Sequence, residues 1–323
     1  MKVVWGVLTM NLEGTPAIKF IKLGDGGKWE DACINKQQVI RLGYESPFHE
    51  DSLKGNWDPV WNFWFEARNQ KRGPASSALN QIKDFYEQPE ETVWITFRSG
   101  LMYWCQAEAD VSERRDDECK GARERKVKGR WSCHDLNGKL LSTDTIDGRV
   151  TKVQGFRGTI CSVDQQDYLL RKIRGETQPD IIKINETLST LEKQIEGLIK
   201  GLWWHDFEIL VDLIFSQLGW QRVSVLAKRE KDLDLDLMSP VTGERAFVQI
   251  KSSTNEGQLK EYIEKFTSGY DHYDLFYFVF HTLNGNVNTS YYQNNEIKLW
   301  DSSRLAKLVI KAGLVDWLIA KRS

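Results

Sequence analysis

The pattern of hydrophobic and polar positions changes near Trp203 and divides the chain. Before about residue 162, short apolar runs such as VVWGVLTMNL, TVWITF, LMYWCQAEA and GTICSV alternate with turn residues, which is typical of β-strands. One stretch, GPASSALNQIKDFYEQ, predicts a helix because its apolar residues share one side. After Trp203, helical and strand patterns alternate, which indicates an α/β domain.

A helical connector is predicted between these two parts by PDIIKINETLSTLEKQIEGLIKGL. Its apolar residues follow steps of three and four, the a/d spacing of a heptad. They are Ile181, Ile184, Leu188, Leu191, Ile195 and Leu198. A stripe of this length suits either the pairing of two protomers or packing on its own domain, and the sequence leaves both open.

Three segments follow from these patterns. We expect a β-rich α+β domain over residues 1–165, the helical connector over 166–202 and an α/β domain over 203–323. The last domain has the order helix, three strands, helix, two strands, helix. Its first helix, HDFEILVDLIFSQLGW, has Asp206 as a candidate N-cap and Gly219 as a candidate terminating glycine.

Composition limits the class of protein. A net charge of −2 with 41% hydrophobic and 28% charged residues indicates a soluble globular chain, and the total charge gives no sign of a nucleic-acid partner. The charged run SERRDDECKGARERKVKGR predicts a solvated loop or hairpin whose basic excess is able to contact phosphate. With no signal pattern or membrane-spanning run, and five widely spaced cysteines, we expect a cytoplasmic protein with free thiols and no membrane partner.

The stretch DLDLDLMSPVTGERAFVQIKSS carries the candidate chemistry. It predicts a hairpin that turns around SPVTGE, because Pro240 and Gly243 favour a turn. A hairpin centred on Val241 and Thr242 sets Asp234 opposite Gln249, and Lys251 then shares their face. Three like-charged aspartates on one face repel one another, so the pattern requires a neutralising partner.

A divalent cation meets that requirement. Mg²⁺, for which Mn²⁺ can substitute, prefers oxygen ligands; Asp234, the amide oxygen of Gln249 and Glu208 of the preceding helix would supply them. Lys251 would orient or activate the attacking water and stabilise charge on phosphate. The residues alone also fit an ordinary half-exposed strand, a dipole-favoured Glu208 and a surface lysine.

These motifs resemble those of the Mrr-type restriction endonucleases, a branch of the PD-(D/E)XK nucleases. The matching residues occur in order over about 203–320 and are Phe207-Glu208, Leu218-Gly219-Trp220, the Asp strand, Val248-Gln249-Ile250-Lys251 and the tail KLWDSSRLAKLVIKAGLVDWL. The resemblance implies a mixed sheet flanked by helices and a nuclease with catalytic Glu208, Asp234, Gln249 and Lys251. DLDLD replaces the family's glycine-containing DxGxD, so Asp236 is the second choice of metal ligand and Asp232 is expected at the rim.

The first half has concentrated aromatic residues in GNWDPVWNFWFEARNQKRGPAS and TVWITFRSGLMYWCQ. A protein that recognises a modified base extrudes it between aromatic walls, which residues alternating on strands would build. The candidates are Trp57, Trp61, Trp64, Trp94, Tyr103 and Trp104. The competing interpretation is that they form the core of a small domain. The layout resembles PUA-like modules without any matched motif.

The resulting hypothesis is a modification-dependent DNA endonuclease that acts as a homodimer on double-stranded DNA with Mg²⁺. The alternatives are a repair or junction nuclease without modified-base specificity, a catalytically inactive DNA-binding protein, and a toxin that cuts RNA.

Overall fold

The computed structural model describes Leu12 and residues 14–114, 121–223, 234–270, 272–285 and 287–323. Three predicted features lie outside the described residues: the run VVWGVLTMNL except for Leu12, most of the strand expected after Trp220, and Asp232. The chain divides into two compact units at Gln178 and Pro179, here called the N-terminal unit and the C-terminal unit. No helix within the described ranges is long and apolar enough to cross a membrane.

The N-terminal unit is built on two small sheets. Its strands are β1 Ile18–Ile21, β2 Val39–Leu42, β3 Val93–Arg98, β4 Leu101–Gln106, β5 Ser112–Glu113, β6 Arg123–Lys126 and β7 Ile160–Ser162. One sheet has the order β4-β3-β1-β7, with β1 parallel to β3, and the other is the antiparallel β2-β6-β5. The predicted β-rich α+β character is confirmed.

Among the described residues of this unit, five α-helices accompany these sheets. They are α1 His49–Leu53, α2 Trp57–Ala67, α3 Arg72–Glu87, α4 Gly148–Thr151 and α5 Gln166–Arg174. Short 3₁₀ turns lie at Asp25–Gly27, Thr143–Thr145 and Lys152–Gly155, and a π-helical segment lies at Ala32–Gln37. Helix α3 buries the apolar side that its sequence predicted, with Leu79, Ile82 and Phe85 in the core.

The described residues of the charged run at 112–130 include the antiparallel pair β5 and β6, and they are not simply a solvated surface. Arg123 and Arg125 are buried. Arg125 donates to the backbone oxygens of Glu108 and Gln88 at 2.6 and 2.9 Å, and Arg123 donates to the Tyr86 hydroxyl at 2.9 Å. Arg123 also pairs with Glu113 at 2.9 Å. Because these guanidinium groups are bound within the unit, we interpret them as structural cations.

The C-terminal unit contains one five-stranded mixed sheet. Its elements are α6 Pro179–Lys200, α7 Trp204–Gln217, β8 Gln221–Arg222, β9 Leu235–Met238, β10 Arg245–Asn255, α8 Glu256–Gly269, β11 Leu275–Asn284, β12 Ile297–Trp300, α9 Ser302–Lys311 and α10 Val315–Arg322, with a 3₁₀ turn at Thr289–Tyr292. The strand order is β12-β11-β10-β9-β8. Strands β10, β11 and β12 are parallel, and β8 and β9 run antiparallel. The predicted element order and mixed sheet are confirmed.

Side chains alternate between the two faces of β10, as the pleat requires. Ala246, Val248 and Ile250 enter the core that α6, α7, α9 and α10 form. Phe247 enters the core beneath α8. Both faces of the sheet are therefore covered, and this holds the centre of β10 rigidly.

The ends of α7 differ in part from their prediction. The helix begins at Trp204, so Asp206 lies in the first turn instead of capping it, and its carboxylate pairs with Lys321 at 2.8 Å. Gly219 does end the helix, since it adopts a φ of 91°. A side chain would be strained in this left-handed conformation.

Helix α6 is divided along its length. Its second half packs on its own unit through Ile195 and Ile199. Its first half leaves Ile181, Ile184 and Leu188 exposed. The predicted stripe thus packs on its own domain at one end and remains open at the other. Helix α5 belongs to the N-terminal unit and α6 to the C-terminal unit, so the expected connector region is two helices in different units.

Candidate active site

The hairpin of β9 and β10 has the register that the sequence predicted. Val248 pairs with Leu235 and Phe247 with Asp236. The Asp234 amide donates to the Val248 oxygen at 3.3 Å, which continues the ladder by one residue and sets Asp234 beside Gln249. The turn is closed by a bond from the Ser239 amide to the Glu244 oxygen at 2.9 Å.

Asp234 is a half-buried carboxylate bound from β10. Its Oδ2 accepts the Ile250 amide at 2.6 Å and also accepts the Gln249 side-chain amide. Burial raises the pKa of Asp234 above its ordinary value, and the negative charge of Glu208 adds to that rise. The hydrogen bond from Ile250 and the charge of Lys251 oppose it. Burial near a second carboxylate makes this a place where an added positive charge is favourable.

Gln249 has a buried side-chain oxygen that is available to a ligand. Its side chain is only 1% exposed, and Oε1 is buried without a hydrogen-bond partner among the described residues. A buried acceptor left without a partner costs about 1–3 kcal/mol. An amide oxygen next to a carboxylate suits a hard divalent cation, so the donor set fits the expected metal.

Lys251 follows two positions later along β10. Its Nζ lies 5.3 Å from the centre of the Tyr262 ring of α8. An ammonium over an aromatic face is attracted by the ring quadrupole, and this contact orients the side chain. The charge of Lys251 also reaches Asp234, whose pKa it lowers.

Glu208 comes from the second turn of α7. Its Oε2 lies 3.6 Å from Nδ1 of His205. The effect of its charge on Asp234 means that the structure brings both predicted carboxylates into one electrostatic neighbourhood. No group of three or more His, Cys, Asp or Glu able to hold a metal occurs among the described residues, so a cation here would depend on two carboxylates and the amide oxygen.

Asp236 has a different partner. Both of its carboxylate oxygens accept Nη2 of Arg245, at 3.1 and 3.0 Å, and the Arg245 guanidinium lies over the Tyr273 ring. The sequence argument assigned neutralisation of the crowded aspartates to a metal alone. Arg245 neutralises Asp236, and this makes Asp236 a poorer candidate for the alternative metal ligand.

The aromatic residues of the N-terminal unit do not form a cage of alternating strand residues. Trp57, Trp61 and Trp64 lie on helix α2. Trp94 and Trp104, on β3 and β4, are 0% and 2% exposed, so they belong to the core. Their burial excludes them as walls of an open base pocket in this conformation.

The remaining candidates differ in exposure and contacts. Tyr103 is half-buried on β4, and Trp61 stacks on Phe65 with ring centres 4.8 Å apart. Trp64 contacts Tyr44 edge-on at 5.2 Å. Trp57 lines a cavity of about 520 Å³, a volume typical of small-ligand sites.

That cavity combines aromatic and acidic side chains. Tyr86, Glu87 and Asp110 line it together with Trp57. The Trp57 indole donates to Glu87 Oε1 at 2.9 Å and meets the Tyr86 ring edge-on at 6.1 Å. Aromatic faces stack on bases, and carboxylates accept from exocyclic amino groups.

Sequence reasoning missed two aspects of the site region. Arg245 was not recognised as the partner of Asp236, although the hairpin register placed the two strands together. Trp203 was noted only as a boundary and Trp204 was not noted, yet both are exposed at the start of the helix that carries Glu208. Two adjacent tryptophans before a polar helix start were the available signal.

Comparison with known proteins finds a similarity in the C-terminal unit. Residues 199–309 match the model of a restriction endonuclease family, that of the Mrr catalytic domain. The match covers about a third of the chain and confirms the resemblance that the motifs indicated. No curated protein sequence matches the chain.

Among solved structures, the DNA modification-dependent restriction endonuclease AspBHI matches with a TM-score of 0.30 and 9% identity. The match covers 88% of this chain and 79% of that one. A likeness at this level carries no argument about this chain.

Proposed function

We propose that this protein is a modification-dependent DNA endonuclease. The C-terminal unit hydrolyses phosphodiester bonds with Mg²⁺, and the N-terminal unit recognises a modified base in double-stranded DNA. The observation that carries the nuclease half is the gathering of Asp234, Gln249 and Lys251 on one side of the β9–β10 hairpin, with Gln249 Oε1 left without a partner.

Each residue has a chemical role in this proposal. Asp234, Gln249 Oε1 and Glu208 would hold the cation, which would supply Lewis-acid polarisation of the phosphate and a lowered pKa of a bound water. Lys251, oriented by Tyr262, donates a hydrogen bond to the attacking water or to the phosphate oxygen where charge develops.

The cavity beside Trp57 supports the recognition half. Its volume of about 520 Å³ admits an extruded base. Trp57 and Tyr86 offer aromatic faces, and Asp110 offers an acceptor for a base amino group. This assigns recognition to helices α2 and α3 instead of to the strands that the sequence indicated.

Cleavage of both strands is best served by two copies of the site, so we propose a cytoplasmic homodimer. The exposed apolar residues Ile181, Ile184 and Leu188 on the first half of α6 are the candidate interface. Pairing of such residues across a two-fold axis buries the same patch on both protomers.

The test compares matched plasmids, one unmodified and others with methylated or hydroxymethylated bases, with Mg²⁺ and with EDTA. The parent protein and Asp234→Asn run side by side, with Trp57→Ala as the recognition variant. We expect only a modified plasmid to be cut, EDTA and Asp234→Asn to abolish cutting, and Trp57→Ala to reduce the preference for the modified plasmid.

The outcomes separate the two halves of the proposal. Equal cutting of all plasmids would retain the nuclease and refute modified-base recognition, leaving a repair or junction nuclease. Binding without cutting by both the parent and Lys251→Ala would indicate an inactive DNA-binding protein. Cutting of RNA in place of every DNA substrate would indicate the RNA-cutting alternative.

A further inference from the structure

Two tryptophans and a histidine form an exposed cluster at the start of α7. Trp203 and Trp204 are 60% and 54% exposed. Their ring centres lie 5.3 Å apart, and the His205 ring lies 5.5 and 5.4 Å from them. Large aromatic groups left together in water mark a surface that meets a partner. Neither tryptophan belongs to the hydrophobic core of the C-terminal unit.

The cluster adjoins the candidate active site on the same helix. His205 Nδ1 is 3.6 Å from Glu208 Oε2, and Trp204 precedes Glu208 by four residues. Residues four apart lie on one face of a helix, separated by about one turn, ~5.4 Å. A strand whose phosphate reaches Glu208 and Asp234 therefore passes within one or two nucleotides of the indole rings, given a rise of about 3.4 Å per nucleotide.

Basic side chains surround the same helix start. The Arg322 guanidinium donates to the Gly201 oxygen at 2.5 Å and has no carboxylate within ion-pair distance in the described part of the chain. Lys321 pairs with Asp206 at 2.8 Å, and Lys200 lies 3.7 Å from Glu196. Aromatic rings next to cations are the combination that binds single nucleic-acid strands through base stacking and phosphate contacts.

We infer that Trp203, Trp204 and His205 form a stacking surface for an unstacked base of the cleaved strand, one or two nucleotides from the scissile phosphate. The inference rests on the proposed nuclease function and adds how the strand is held. Arg322 and Lys200 contact the neighbouring phosphates. Because the base must leave the helical stack, a mismatch at this position lowers the cost of binding.

The experiment is a double-mutant cycle between protein and DNA. Fluorescence anisotropy measures binding, without metal, of labelled duplexes that are intact or carry one abasic nucleotide at successive positions along the whole duplex. Trp203→Ala and Trp204→Ala are compared with the parent and with Trp204→Phe. Tyr291→Ala is the matched control, because Tyr291 is an 82% exposed aromatic residue of the same unit.

On intact duplexes each tryptophan variant should bind about 5- to 150-fold more weakly, the range expected for loss of one stacked base. Trp204→Phe should retain most of the affinity, and Tyr291→Ala should equal the parent. At one position, an abasic nucleotide should weaken DNA binding by the parent but not by the tryptophan variant, since that variant has already lost the contact with this base.

Tryptophan variants that bind and cut like the parent would overturn the inference, and so would losses that persist undiminished at every abasic position. A changed oligomeric state with unchanged DNA binding would assign the cluster to a protein interface and would also overturn it. If the parent cuts nothing yet the cycle shows coupling, the nuclease fails and the stacking surface stands. If the parent cuts DNA while no coupling appears, the nuclease stands and the stacking surface fails.

Discussion

Binding of Mg²⁺ should stabilise the folded protein, and Asp234→Asn should abolish that stabilisation. The apo site has a desolvated carboxylate at Asp234 and an amide oxygen of Gln249 without a partner. A cation relieves both. A ligand that binds only the folded state at ten times its dissociation constant adds about 1.4 kcal/mol to the free energy of unfolding.

The assay is thermal unfolding of the parent with millimolar Mg²⁺ and with EDTA. For domains of 150–250 residues, each kcal/mol shifts the midpoint by about 2–4 °C, so we expect a rise of about 3–6 °C. In Asp234→Asn the rise should vanish, because the substitution removes the charge that binds the cation. The same variant should lose about a thousandfold or more in cleavage rate, since a catalytic cation contributes several kcal/mol to transition-state stabilisation.

Asp236→Asn is the matched control. Its charge is neutralised by Arg245 at 3.0 Å, so Mg²⁺ should stabilise this variant as it does the parent. Its stability without metal should fall by about 1–2 kcal/mol, less than for a fully buried pair because the arginine is partly exposed. A parent that Mg²⁺ leaves unchanged, or an equal rise in Asp234→Asn, would refute the assignment; a rise lost only in Asp236→Asn would exchange the two roles.

Three further outcomes are expected. Lys251→Met should cut DNA at least about 100-fold more slowly with unchanged DNA affinity in anisotropy, because its ammonium acts on charge that develops during hydrolysis. Ile184→Glu combined with Leu188→Glu should yield a monomer in sedimentation velocity without loss of thermal stability, since both side chains are exposed. Acidification should destabilise the fold through His281. Burial lowers the pKa of His281 from its ordinary value of 6.5, and the charge of Lys200 lowers it further. The contribution of neutral His281 to the free energy of unfolding is complete above pH 6.5 and is lost as the pH falls through the folded pKa. In urea unfolding, the free energy of unfolding of His281→Leu should therefore fall less on acidification than that of the parent.

Local pattern was sufficient to predict the β9–β10 hairpin of the C-terminal unit. The turn formers between β9 and β10 fixed the register, and with it the pairing of Asp234 with Gln249. The alternation of apolar residues on β10 then determined which side chains entered the two cores. Each of these inferences depends on residues near one another in sequence, where backbone geometry limits the possibilities.

Longer-range contacts were harder to predict. The register favoured Asp234 over Asp236, but nothing local predicted that Arg245 neutralises Asp236 or that the Gln249 oxygen is left without a partner. Burial of Arg125 requires backbone oxygens of α3 and of the loop after β4, which no local pattern specifies.

Placing Trp57, Trp61 and Trp64 on strands was wrong, and the cause is recognisable. Trp57, Trp61 and Trp64 follow steps of four and three, the period of a helix. They were nonetheless grouped with the strand residues Trp94 and Trp104 because all are aromatic. The spacing of these three residues, and not their aromatic character, was the correct guide to their secondary structure.

The position of β10 has a consequence for control of cleavage. From Ala246 to Ile250 the strand is paired on one side with β11, and β9 covers its other side up to Val248. Both faces are packed, so amide exchange at Gln249 and Ile250 should require opening of the whole unit. Local melting is therefore not available as a way to silence this site, so any control of the site must act on the access of a substrate to it.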